Sequence, residues 1–152
     1  IPYISMHGST EKMISYFIEK LMVKGLTVKP FNLAVTDIGQ LAMALVDAAS
    51  IVIGTPTVLT GPHPLVLYAT YLANALRPKL KFASIIGSYG WGGRTVDIIS
   101  SLLTNIKAEI LEPVLIKGYP KPQDFQALTR LAEKLVTRHK NLGITNHTGG
   151  LS

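Results

Sequence analysis

Cysteine is absent from the 152 residues, which excludes disulfides, thiolate metal sites and a catalytic thiol, and is compatible with the cytoplasm expected for this chain. Nor is there a run of about 18 uninterrupted apolar residues, so no membrane-spanning helix is read. The chain opens with no basic stretch leading into an apolar one, as a secretory leader would. Ile1 instead stands in what reads as mid-strand, and residues before it are expected. Carboxylates are scarce, with 9 Asp and Glu against 15 Lys and Arg, a formal charge of +6. Clustered cations would suit a nucleic acid, but these are spread along polar helix faces with few aromatics between them, so an acidic protein partner is the better reading. His7, His63, His139 and His147 show no ligand spacing, and no metal site is assigned.

What the chain does have is a regular alternation of apolar runs and amphipathic stretches. Ile1 to Ile4 reads as a first strand. Met13, Ile14, Phe17, Ile18, Leu21 and Met22 recur at helical spacing from Thr10 to Lys24. A second strand over Leu26–Leu33 carries Pro30, which lacks a ladder donor and argues for a sheet edge. A helix over Thr36–Ala48 precedes Ser50–Gly54, whose continuous β-branched run suits a strand covered on both faces. A helix from Leu65 to Leu76, a strand over Lys81–Gly87, a helix from Val96 to Ile106, a strand over Ile110–Ile116 and a helix over Pro122–Lys140 complete the pattern. With 47% hydrophobic residues this is one α/β domain over residues 1–142. The alternation calls for a five-stranded parallel sheet with helices on both faces, right-handed crossovers and the strand order 2-1-3-4-5. Residues 143–152 follow no pattern and are expected to be a disordered or extraneous tail.

In such a sheet the ligand lies at the carboxyl ends of the strands. After the first strand come Ser5, Met6, His7, Gly8, Ser9 and Thr10, running into a helix start. Unpaired N–H groups there, with the helix dipole, hold a phosphate without Lys or Arg, and three hydroxyls would add donors. The plainer alternative is that Ser9 or Thr10 only caps the helix. After the third strand, Thr55 to His63 includes Pro56, Thr57, Val58, Leu59, Thr60 and Gly61. After the fourth, Ser88, Tyr89, Gly90, Trp91, Gly92 and Gly93 place the single tryptophan between glycines, a poor core residue but a good cover for a flat ring. None of these segments carries a carboxylate, so no catalytic residue is assigned. A dinucleotide fingerprint, a P-loop and a receiver-domain acidic cluster are all missing.

Three segments in order, Ser5–Met13, Gly54–Thr57 and Gly87–Gly93, closely resemble the flavodoxin-like domain of flavodiiron proteins, also called A-type flavoproteins. The likeness covers residues 1–142. It implies a three-layer flavodoxin-like fold, FMN with its phosphate on Ser5–Thr10, and the isoalloxazine ring between the other two segments. It further implies electron transfer from rubredoxin or an NAD(P)H-linked reductase toward a di-iron, metallo-β-lactamase-like domain of the same or a partner chain. That domain would reduce oxygen or nitric oxide, and its ligands are not in this sequence. A homodimer is compatible with the resemblance. Two departures stand out: Val58, Leu59 and Thr60 replace an Asn pair common after the Pro-Thr, and His7 stands where Tyr is common. Two other readings remain open, a free-standing FMN-dependent NAD(P)H:quinone-type reductase and an interaction module without FMN.

Overall fold

The computed structural model describes residues 1–58, 60–89 and 94–144. Among them are seven strand segments, β1 (Pro2–Tyr3), β2 (Phe31–Asn32), β3 (Ser50–Val58), β4 (Gly61–Pro62), β5 (Phe82–Tyr89), β6 (Glu109–Ile110) and β7 (Val114–Lys117). The helices are α1 (Ser9–Val23), α2 (Ile38–Val46), α3 (Pro64–Leu76), α4 (Thr95–Leu102) and α5 (Pro122–Asn141). β2, β1, β3 and β5 lie side by side in parallel, and β6 and β7 both pair with β5 in the same sense. Taking β6 and β7 as two halves of one strand, this is the expected 2-1-3-4-5 order. β4 is an addition, an antiparallel partner of β3.

Strand alternation splits the core between the two faces of the sheet. Val52, Phe82 and Ile86 pack with α1 and α5 residues such as Phe17 and Leu128. Ile51, Ile53, Ala83 and Ile85 pack with Leu41, Val66 and Ile99 of α2, α3 and α4. Among the described residues β7 is covered mainly on one face, since Val114 and Ile116 are buried while Leu115 is 39% exposed.

Several boundaries differ from the sequence expectation for identifiable reasons. The second strand shrinks to two residues; Phe31 and Leu33 donate to β1, so Pro30 falls on the open edge where no donor is needed, and Asn32 ends the strand by accepting the Ala34 N–H on Oδ1 at 3.0 Å. The fifth strand breaks at Leu111–Pro113, where proline again lacks a donor and Ser84 Oγ donates to the Leu111 carbonyl at 3.1 Å. α2 starts later, at Ile38, because Asp37 Oδ1 accepts the Gly39 N–H at 3.0 Å. α4 stops at Leu102, and the Asn105 N–H goes to Asn74 Oδ1 on α3 at 2.7 Å instead of continuing the helix. No described helix is long and apolar enough to cross a membrane.

Candidate functional site

Parallel strands put all their carboxyl ends on one edge, and four connections meet there. The first is the turn from β1 into α1. Gly8 occupies the left-handed region at φ 84 as the residue before the helix, and its carbonyl accepts the Lys12 N–H at 3.0 Å. A Cβ would be strained in that conformation, so glycine sets the turn that lets the chain enter α1. Ser5 Oγ accepts the Glu11 N–H at 3.1 Å, a bond that does not use the hydroxyl's own proton. The N–H groups of Ser9 and Thr10 lie in the first helical turn, which leaves them without partners inside the helix. Met6, His7 and Gly8 are exposed.

The three hydroxyls expected to point at a phosphate are used differently from one another. Ser9 Oγ donates to the Gly118 carbonyl at 2.8 Å. Thr10, only 1% exposed, lies 3.3 Å from Ser88 Oγ through its Oγ1. Ser5 Oγ is shown only as an acceptor, from the Glu11 N–H, and in the Thr10–Ser88 pair either hydroxyl can be the donor.

The segment after the third strand is not the open loop that its composition suggested. β3 runs on through Val58, and the chain turns back as β4, with Thr57 opposite Pro62 and Val58 opposite Gly61. Residues before a proline favour extended backbone, and the β-branched Thr55, Thr57 and Val58 favour strand, so this stretch stays straight. Thr55 Oγ1 accepts the His63 N–H at 3.0 Å and closes the base of the hairpin. His63 caps α3, its Nδ1 accepting the Leu65 N–H at 3.0 Å.

Ser88 and Tyr89 likewise extend β5 instead of opening a loop, with Ser88 opposite Pro56 and Tyr89 opposite Lys117. Leu59, Gly90, Trp91, Gly92 and Gly93 lie outside the described residues. Where the chain is described again, the Arg94 N–H donates to the Thr60 carbonyl at 2.8 Å, and Thr57 Oγ1 lies 3.0 Å from Thr95 Oγ1. The ends of β3 and the start of α4 are therefore held together as one wall.

The fourth connection, Gly118–Lys121, was absent from the sequence reading. Its Gly118 sits at φ 73, its N–H donates to the Tyr89 carbonyl at 2.8 Å, and Lys12 Nζ lies 5.0 Å from the Tyr119 ring centroid. The Gly118-Tyr119-Pro120 turn after the fifth strand was the available signal, since it must fall on the same edge as the other three.

Two close approaches fix the floor. A Cβ on Gly54 would stand 2.7 Å from Ile14 Cδ1 and 2.8 Å from Tyr3 Cβ, and one on Gly87 would stand 2.7 Å from the Thr55 carbonyl oxygen. Tyr3, beside Gly54 in the sheet, has its phenol pushed up by burial and, to a lesser degree, by the Glu11 carboxylate, so it stays neutral. A cavity of about 440 Å³ opens at the opposite, amino edge, lined by Leu21, Val28, Leu41, Ile51 and His139 among others. It shares no residue with the four connections.

Edge, turn and hydroxyl set together define a class of protein. The flavodoxin family matches residues 1–130, and the chain belongs to it. Within that class it is homologous to the flavodoxin-like part of flavodiiron proteins. It is 33% identical over 140 residues to a nitric oxide reductase of Moorella thermoacetica, covering 91% of this chain and 35% of that one. The solved structure of rubredoxin oxygen:oxidoreductase from Desulfovibrio gigas superposes with a TM-score of 0.87 at 29% identity, over 92% of this chain and 35% of the other. A flavodiiron core from Synechocystis shares the fold at a TM-score of 0.85 and 18% identity, over 93% and 35% of the two chains. The chain thus spans about a third of the length of the curated relatives it matches.

Proposed function

We propose that this chain is an FMN-binding electron-transfer domain. The observation that carries the reading is the left-handed turn at Gly8 ahead of α1. It presents main-chain N–H groups and the Ser5 hydroxyl at a helix start in a segment, Ser5–Thr10, without a carboxylate. These donors fit a phosphate monoester dianion, which needs several N–H or O–H groups; Glu11, next in the first turn of α1, is the acidic residue nearest to them in sequence. Pro56, Thr57, Val58, Leu59, Thr60 and Gly61 on one side, and Ser88, Tyr89, Gly90, Trp91, Gly92 and Gly93 on the other, would border the ring. FMN, when bound, supplies the capacity to accept and release electrons one at a time, and the protein supplies binding, orientation and electrostatics.

The partners follow from the same reading. An acidic electron donor, such as rubredoxin or an NAD(P)H-linked reductase, would load the flavin, and a di-iron domain would receive the electrons. Among the described residues no group of three or more His, Cys, Asp or Glu could hold a metal ion, so the di-iron ligands would come from another domain. Purified protein should carry flavin absorption at about 370 and 450 nm, or regain it on titration with FMN. A colourless protein that takes up no FMN overturns the reading. Steady-state NAD(P)H oxidation by this chain with a quinone would favour a stand-alone reductase instead.

A further inference from the structure

We propose that Ser9 is a positioning residue that ties the loop after β7 to the start of α1, and is not a side-chain ligand of the phosphate. A serine hydroxyl has one proton. Here it goes to the Gly118 carbonyl at 2.8 Å, and a carbonyl can only accept. The Gly118 N–H passes the connection on to the Tyr89 carbonyl at 2.8 Å. Tyr89 ends β5, where the Ser88–Gly93 segment begins. A two-bond chain therefore joins the residue that opens α1 to the strand end beneath the ring-bordering segment.

Two features show that the chain is built into the fold. Gly118 at φ 73 adopts a conformation that side chains rarely tolerate, so the loop's course depends on glycine at that point. Thr10, the residue after Ser9, and Ser88, the residue before Tyr89, are bridged through their hydroxyls at 3.3 Å. The distance between the phosphate donors and the ring-bordering strand end is thereby fixed before a ligand arrives, and a site organised in advance binds more tightly. Ser9 still offers its main-chain N–H to an anion.

The proposal rests on the FMN reading for its ligand assay, but the tether itself can be measured without flavin. Wild type, Ser9→Ala, Ser9→Thr and Ser5→Ala are titrated with FMN and with riboflavin, which lacks the phosphate, and hydrogen exchange at the Gly118 amide is followed in flavin-free protein. Ser9→Ala should weaken FMN roughly fivefold, as loss of one neutral hydrogen bond implies, and riboflavin, which does not reach from the ring to the helix start, by less. It should also speed Gly118 exchange. Ser9→Thr, which keeps the hydroxyl, should restore both, and Ser5→Ala should weaken FMN selectively. Loss of FMN affinity in Ser9→Ala with Gly118 exchange unchanged would make Ser9 a phosphate ligand and overturn the proposal, and so would wild-type affinities with unchanged exchange. If wild type binds neither flavin, the FMN reading falls, while Gly118 exchange still decides the tether.

Discussion

His139 Nε2 stands 2.6 Å from Ser50 Oγ, joining the last turns of α5 to the first residue of β3. The imidazole is 8% exposed and stacks on Phe82 with ring centroids 5.7 Å apart. Burial pushes its pKa below the ordinary 6.5. The unfolded chain therefore takes up a proton that the folded chain resists. The contribution of this site to stability is complete above the unfolded value and declines as pH falls toward the lowered folded one. Denaturant midpoints should drop between about pH 7.5 and pH 5 more steeply in wild type than in His139→Gln. The exposed Arg138–Glu109 pair, at 3.2 Å, is common to both proteins and cancels. Parallel pH profiles would remove His139 from the acid response.

Gly87 and Gly39 make a matched test of close packing at the site floor. A Cβ at Gly87 would lie 2.7 Å from the Thr55 carbonyl oxygen, which is fixed in the parallel ladder and cannot yield, and 3.0 Å from Leu115 Cδ2. At Gly39 the nearest atom, Asp37 Oδ1, would be 3.5 Å away. Gly87→Ala should cost about 1–3 kcal/mol in urea unfolding, whereas Gly39→Ala, in the first turn of α2, should change stability by less than about 1 kcal/mol. Equal effects at the two positions would mean that β3 and β5 can separate at Thr55 more easily than their geometry suggests.

The sheet order was legible because the strands bury both faces and so read as continuous apolar runs, as Ser50–Gly54 does, and because Pro30 marks an edge. Strand lengths were not. Thr55–Val58 looks like a loop by its proline and hydroxyls, yet it pairs along β5 on one side and with β4 on the other. Pairing partners distant in sequence decide that, and local propensity does not see them. The same limit applies to the site. Ser5, Ser9 and Thr10 read alike as hydroxyls before a helix, and only the positions of Glu11, Gly118 and Ser88 separate their roles. Gly118–Lys121 carries no hydroxyl run or phosphate-like pattern of its own, and only the parallel sheet, which aligns every carboxyl end, brings it to the site.

The segments Ser5–Thr10, Thr55–His63 and Ser88–Gly93 contain no Asp or Glu, and Arg94 follows directly. Fully reduced, anionic FMN would meet no carboxylate from them, so its charge is destabilised less than in a site ringed with acids. The second reduction step, to the fully reduced flavin, should therefore lie not far below that of free FMN, as read in a stepwise reductive titration. A second potential strongly depressed below the free value would show that other negative groups, such as Glu11 or Asp97, dominate the field.

Exposed cations stand around the carboxyl edge: Lys12 in the first turn of α1, Arg94 before α4, Lys117 at the end of β7 and Lys121 before α5. The facing carboxylates are Glu11, Asp97 and Asp124, and Asp124 Oδ2 is already held by the Lys121 N–H at 2.8 Å. With a formal charge of +6 on the whole chain, an acidic electron donor approaches a surface that attracts it at long range and presents cations around the proposed flavin. Steering of this kind acts on encounter more than on the final contact, and salt screens it over about 10 Å at 0.1 M. Stopped-flow rates of reduction by an acidic donor protein should fall roughly tenfold from low to high ionic strength. Lys117→Glu, at a strand end whose side chain is exposed, should lower the low-salt rate and flatten the salt dependence, compared at full flavin occupancy. Rates that stay level across the salt series would place the docking surface away from these cations.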